Sequence, residues 1–198
     1  SKEEEVELKF FFHDAPLESF RRRLLKYLES LTEIFPFLKQ LQLTVRSENS
    51  FPHSTGIASS ASAMSALALG LCSLEHRLFQ TLDDDERFRR KASYLARLGS
   101  GSACRSIYAY AGFWGEHGEM EGSSNEYAIS AADHLHETFK TYCDDILIVS
   151  SEKKSVSSSA GHELMETHAF ASARFKNAYQ RIHRLLACLK QGDLEEFG

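Results

Sequence analysis

The stretch from Ile57 to Phe79 constrains this chain more than any other, because it is rich in Ala, Ser, Leu and Met and carries no charge before Glu75. Such a segment reads as a helix buried on most sides, with small residues that permit close packing. The chain enters it through Pro52-His-Ser-Thr-Gly56-Ile-Ala58-Ser59-Ser60-Ala61-Ser62. Before that, Leu41, Leu43 and Val45 alternate with Gln42, Thr44 and Arg46, the pattern of a half-buried strand. The order is strand, glycine-containing turn, helix N-terminus. Unpaired N–H groups and partial positive charge at that N-terminus suit a polyphosphate, with the Ser59 and Ser60 hydroxyls as further donors. The same serines serve equally well as plain helix caps. No Gly-Lys-Ser/Thr follows, so this is not a Walker A loop.

Around this helix the chain reads as mixed α and β. Val6 to Phe12 predicts a strand broken at His13-Asp14-Ala-Pro16. Leu17, Phe20, Leu24, Leu25, Leu28, Leu31 and Ile34 then recur at helical spacing, up to Pro36. Asp83 to Asp85 predict an N-cap and acidic first turn for a helix through Arg97, with Phe88, Ala92, Leu95 and Ala96 inside. Ile107 to Ile129 reads as short strands and turns, and Thr138 to Asp145 as a connector. Ile146 to Val149 reads as a buried strand, followed by a helix from about His162. A further helix over Phe170 to Leu189 is expected to turn Phe175, Tyr179, Ile182, Leu185, Leu186 and Leu189 inward, and the chain ends in the first turn of another.

Ser100-Gly101-Ser102-Ala103-Cys104-Arg105 supplies a second compact anion site. Arg105 is a permanent charge capable of bidentate contact with a diphosphate or carboxylate, and Ser100 and Ser102 can donate from the same turn. A helix cap followed by a surface arginine would read the same way locally. Two such loops in one chain suggest two phosphorylated ligands meeting.

Composition narrows the class. The net charge of -5 and basic residues scattered among acids argue against nucleic acid as a partner. No apolar run approaches the roughly 20 residues of a membrane span. The four cysteines, Cys72, Cys104, Cys143 and Cys188, include no C-x-x-C pair, so reduced thiols in a cytoplasmic protein are expected, without a zinc site. His134 and His136 lack a third partner for a metal, and Cys104 lacks a nearby histidine base.

Pro52 to Ala61 resembles the glycine-serine ATP motif of the galactokinase, homoserine kinase, mevalonate kinase and phosphomevalonate kinase superfamily. Ala58 before the serine pair, and above all Ala96-Arg-Leu-Gly-Ser100-Gly-Ser-Ala-Cys-Arg105-Ser106, resemble the diphosphomevalonate decarboxylase family within it. The resemblance extends through Ser150-Ser-Glu-Lys-Lys154 and Ser157-Ser158, thus over nearly the whole chain. It implies an α+β fold, a ribosomal protein S5 domain 2-like N-terminal domain followed by a ferredoxin-like one, divided here at 1–139 and 140–198. It implies ATP on Gly56, Ala58, Ser59, Ser60 and Ser62, with Mg²⁺ bridging its phosphates. Ser100, Gly101, Ser102, Ala103, Cys104, Arg105 and Ser159 would bind a small diphosphate substrate. The implied activity is ATP-dependent decarboxylation of diphosphomevalonate to isopentenyl diphosphate, and a homodimer stays open.

The chain also departs from that family. After Tyr108, where the family usually has a Gly-Gly-Phe turn continuing to Glu-Trp, this chain reads Ala109-Tyr110-Ala111-Gly112-Phe113-Trp114, a restriction on the backbone. A family segment with Tyr-Trp-Gly-Lys, and one with Asp-Ala-Gly-Pro-Asn whose aspartate is catalytic, have no counterpart in these residues. The chain reads as the middle of such an enzyme, its catalytic residue unassigned. A superfamily kinase of mevalonate or its monophosphate, and a non-catalytic phosphate-binding piece, are the alternative readings.

Overall fold

A computed structural model describes residues 5–50, 58–143, 145–147, 161, 164–165 and 167–198. Strand β1 (Glu7–Phe12) turns Leu8 and Phe10 inward and leaves Glu7 and Lys9 in water, the alternation expected of a sheet with one covered face. His13 and Asp14 both take positive φ, 47° and 59°, which folds the chain straight back into the antiparallel β2 (Ala15–Pro16). Helix α1 (Glu18–Ser30) crosses over, and β3 (Gln42–Ser47) returns parallel to β1 with Glu7 opposite Gln42 and Phe12 opposite Ser47. The sheet order is β2-β1-β3.

The helical spacing read up to Pro36 ends sooner as a helix, at Ser30. Leu31 to Ile34 form a turn, and Pro36 starts a 3-10 helix, Pro36–Gln40. The inward pattern nonetheless continues, since Leu31, Phe35 and Leu38 are all fully buried.

Helices α2 (Ser59–Phe79) and α3 (Asp85–Gly99) pack side by side against this unit. Asp84 caps α3 by accepting the Arg87 N–H at 2.7 Å. The α2 segment buries a stripe, Ala61, Ser65, Ala68, Leu71 and Cys72, and not most of its sides. Small residues set along one stripe let α3 approach closely, while Leu78 and Phe79 at the far end are about half exposed. Tyr27 ties α1 to α3 by donating its buried hydroxyl to the Leu95 carbonyl at 2.7 Å. Lys91 of α3 reaches both Glu75 oxygens of α2 at 2.7 Å.

After α3 the chain winds into a 3-10 helix, Gly101–Ile107, and then a hairpin of β4 (Gly112–Trp114) and β5 (Ala128–Ser130), with Phe113 opposite Ile129. A short α4 (Glu137–Lys140) lies in the expected connector. Helix α5 (Ala171–Gln191) lays Ile182 and Leu186 on the hairpin's own small core with Met120 and Ala131. Phe175, Tyr179 and Leu185 do not follow the expectation, while Leu189 is half-buried. Phe175 is 64% and Tyr179 58% exposed, because three-residue strands cover little more than one turn of helix. Tyr179 does rest on the ring of His117, 4.9 Å between centroids. Asp193 caps α6 (Leu194–Phe197), the anticipated last helix.

The strand expected over Ile146 to Val149 is absent at its first two positions. Ile146 and Leu147 lie outside any element, 56% and 87% exposed, with no described strand to pair them. Ile148, Val149 and the helix start at His162 fall outside the described residues. Among the described residues no helix is long and apolar enough to cross a membrane. The whole is an α+β arrangement.

Candidate functional site

Helix α2 begins on a bent backbone. Ala58 has φ 49° and ψ 36°, and its carbonyl accepts the N–H groups of Ala61 at 2.9 Å and Ser62 at 3.3 Å. The N–H groups of Ser59 and Ser60 precede the first helical hydrogen bond, and they have no acceptor among the described residues. Ser60 and Ser62 are exposed and Ser59 is half-buried. This helix end presents free donors with two hydroxyls beside them, the chemistry of an anion site. Gly56 lies outside the described residues, as does Ser159.

The second stretch is more ordered than a surface loop. Ser100 leaves α3 in an extended conformation, its N–H still held by the Ala96 carbonyl at 2.9 Å, and the next residues wind as 3-10 helix. That winding sorts the side chains. Gly101 and Arg105 are exposed, Ser100 and Ser102 half-buried, and Ala103 and Cys104 fully buried. The Cys104 thiol donates to the Gly101 carbonyl at 3.1 Å, and burial pushes its pKa up, which disfavours the thiolate. The Arg105 guanidinium makes no hydrogen bond or ion pair among the described residues. Arg97, by contrast, is committed to Glu126, through its backbone oxygen at 2.6 Å and its carboxylate at 3.1 Å.

The two stretches meet in space. Ser60 Oγ and Ser100 Oγ lie 3.5 Å apart, forty positions apart in sequence. The two serine-bearing turns therefore share one edge.

Several residues that hold this edge carried no local signal in the sequence. Arg89 of α3 donates to the Ile107 carbonyl at 3.3 Å and to Asp85 at 2.7 Å. Fully buried Ser93 donates to the Cys104 carbonyl and accepts the Ala128 N–H, each at 2.9 Å. Trp114 donates its indole N–H to the Asn125 carbonyl at 2.9 Å, and its ring edge lies so close that a Cβ on Gly101 would be 3.4 Å away. Gly112 sits directly on Arg105, where a Cβ would come within 2.6 Å of the Arg105 carbonyl oxygen and 2.8 Å of its Cα. Backbone cannot yield as a side-chain tip can, so only glycine fits there.

Of the residues in the altered turn, Ala109, Tyr110 and Ala111, only Tyr110 takes a positive φ, 62°. Its ring is 69% exposed and recovers little by packing. Replacing Tyr110 with glycine is expected to stabilise the fold by about 0.5–1 kcal/mol, since a left-handed non-glycine residue costs roughly 1–2 kcal/mol and glycine returns part of that as chain entropy. Thermal unfolding of the two proteins side by side checks this; a lower midpoint for the glycine variant would refute it.

No group of three or more His, Cys, Asp or Glu among the described residues could hold a metal ion.

Residues 2–128 match the family model of the diphosphomevalonate decarboxylase-like N-terminal domain. The diphosphomevalonate decarboxylase of Saccharomyces cerevisiae is 37% identical over 143 residues, covering 72% of this chain and 33% of that protein. The one from Ganoderma lucidum is 31% identical over 180 residues, covering 89% of this chain and 42% of the other. The chain thus spans between a third and a half of these relatives' length. Among solved structures, the mevalonate diphosphate decarboxylase from Trypanosoma brucei superposes with a TM-score of 0.67 at 24% identity, over 96% of this chain and 48% of that one. The enzyme from Enterococcus faecalis gives 0.62 at 22% identity, over 100% and 56%. These two likenesses concern the fold.

Proposed function

From the premise that this chain belongs to the diphosphomevalonate decarboxylase-like N-terminal domain family, we propose that the full-length protein is an ATP-dependent diphosphomevalonate decarboxylase. The γ-phosphoryl group of ATP passes to the 3-hydroxyl of diphosphomevalonate. Loss of that phosphate together with carbon dioxide then leaves the double bond of isopentenyl diphosphate. The observation that carries the reading is the 3.5 Å approach of Ser60 Oγ to Ser100 Oγ, because phosphoryl transfer needs the nucleotide's terminal phosphate and the acceptor hydroxyl of a second ligand held within reach of each other.

In this reading the α2 N-terminus holds the ATP phosphates, through the free N–H groups and hydroxyls of Ser59 and Ser60, with Gly56, Ala58 and Ser62 shaping the turn. The Enterococcus faecalis enzyme's ATP binding is mediated by mevalonate diphosphate, which supports a shared edge of this kind. Mg²⁺ bound with the nucleotide would neutralise part of the phosphate charge. Ser100, Ser102 and Arg105 hold the diphosphate and carboxylate end of the substrate, Ser159 adding a hydroxyl. Gly101 keeps the surface low beneath the ligand, and Ala103 and Cys104 anchor the turn from below. These residues bind, orient and compensate charge, which is how phosphoryl transfer is accelerated. Residues 1–139 would belong to the ATP- and substrate-binding domain, and 140–198 begin the next.

The full-length protein supplied with ATP and diphosphomevalonate is expected to release carbon dioxide, ADP and phosphate in equal amounts. Production of ADP without carbon dioxide would replace this reading by a kinase acting on mevalonate or its monophosphate. Tight phosphate binding with no turnover would replace it by a binding function.

A further inference from the structure

We infer that Ser93 is a positioning residue for Arg105, acting through the main chain without touching a ligand. The inference rests on the reading of Arg105 as the diphosphate contact. An exposed guanidinium with no partner among the described residues is a useful clamp only if the backbone beneath it is fixed, since every rotamer it loses on binding costs free energy. The carbonyl that Ser93 grips belongs to the peptide bond joining Cys104 to Arg105. That single hydrogen bond therefore sets the plane from which the Arg105 side chain departs.

The same hydroxyl is used twice. While donating to the Cys104 oxygen it accepts the Ala128 N–H of β5, at 2.9 Å in each case. Ser93, Cys104 and Ala128 are all fully buried, so neither backbone group has water as a substitute. β5 in turn pairs with β4, placing Ala128 opposite Trp114 and Ser130 opposite Gly112. Gly112 closes the circuit by lying against the Arg105 backbone, where a Cβ would be 2.8 Å from its Cα and 2.6 Å from its carbonyl oxygen. The Arg105 backbone is thus held between a hydrogen bond from α3 and a steric stop from β4. Among the described residues, Ser93 is the one side chain whose hydrogen bonds join helix, 3-10 turn and hairpin.

The test uses the full-length enzyme, with Ser93→Ala, Ser93→Cys and Arg105→Lys assayed below the unfolding transition. Ser93→Ala is expected to raise KM for the diphosphate substrate about tenfold, the loss of a buried hydrogen bond's worth of alignment, with KM for ATP changed less than about twofold. Ser93→Cys, which keeps a weak donor of similar size, is expected to fall between the two. A serine that merely stabilises the fold would instead lower kcat in proportion to the folded fraction and leave both KM values alone, and that result overturns the inference. If Ser93→Ala does not fold, Ser93→Cys decides alone by the same split. An unchanged KM in Arg105→Lys would instead strike at the assignment of Arg105, which separates failure of the site reading from failure of this one.

Discussion

Replacing Arg105 with alanine in the full-length protein is expected to lower kcat/KM for the diphosphate substrate by about two to three orders of magnitude, through loss of two charge-assisted hydrogen bonds to one anion. Lysine at the same position keeps the charge and loses the planar fork, so a loss of about tenfold to a hundredfold is expected there. The unfolding midpoint should hardly move in either case, because Arg105 is exposed and has no partner to lose among the described residues. How the loss divides between kcat and KM identifies the end of the substrate that Arg105 holds. A diphosphate keeps its charge throughout the reaction, so a contact to it is uniform binding and its removal appears in KM. A carboxylate loses its charge as carbon dioxide departs. A cation fixed on it favours the ground state, and removing that cation would raise kcat while weakening binding. The uncommitted fork beside two half-buried serines favours the diphosphate, hence a KM effect. An unchanged kcat/KM would remove Arg105 from the site altogether.

What could be read locally was legible before any coordinates. Ser59, Ser60, Ser100 and Arg105 stand in turns whose donors and charge are evident from six or seven neighbouring residues, and the helix behind the first turn begins within two positions of where its composition put it. The winding of Gly101–Ile107 was also within reach. Ala103, Cys104 and Ile107 are buried, and apolar residues spaced one and four apart mark a helical face and not an open loop. Ser93 and Gly112 lay beyond local reading for a physical reason. Their function is contact with backbone, at Cys104, Ala128 and Arg105, and a backbone group has no residue type to betray it. A serine on the inner face of an amphipathic helix is the only trace such a contact leaves.

The extent of burial was harder to read than its periodicity. In α5 the apolar spacing from Phe175 to Leu189 is real, yet the hairpin of three-residue strands covers Ile182 and Leu186 and leaves Phe175, Tyr179 and Leu185 exposed. In the turn after α1 the error ran the other way. Phe35 sits outside any helix or strand, next to a proline, yet it keeps the inward spacing of Leu28 and Leu31 and is fully buried.

That contrast yields a large expected stability effect. Phe35→Ala is expected to destabilise the fold by about 3–5 kcal/mol, the usual cost of emptying a fully buried aromatic site whose walls relax only in part. Phe35 is wedged between α1 and the 3-10 helix at Pro36, its ring 5.3 Å from that of Phe37, and it shows no surface to solvent. It also lies beneath a charge: Lys91 Nζ is 4.6 Å from the ring centre while bonded to both Glu75 oxygens. Removing the ring therefore takes away an apolar wedge and a cation–π contact worth about 0.5–2 kcal/mol at once. The Lys91 and Glu75 pair would survive, half-buried, without its floor. For a chain of this size the unfolding midpoint should fall by roughly 6–20 °C, since each kcal/mol moves it by about 2–4 °C. Phe175→Ala supplies the control. With 64% of its surface already in water, that change should shift the midpoint by no more than about 2 °C. If the two phenylalanines proved equally costly, or if Phe175 cost more, the core would be centred on α5 and not on the α1, α2 and α3 contact that holds the shared edge of Ser60 and Ser100.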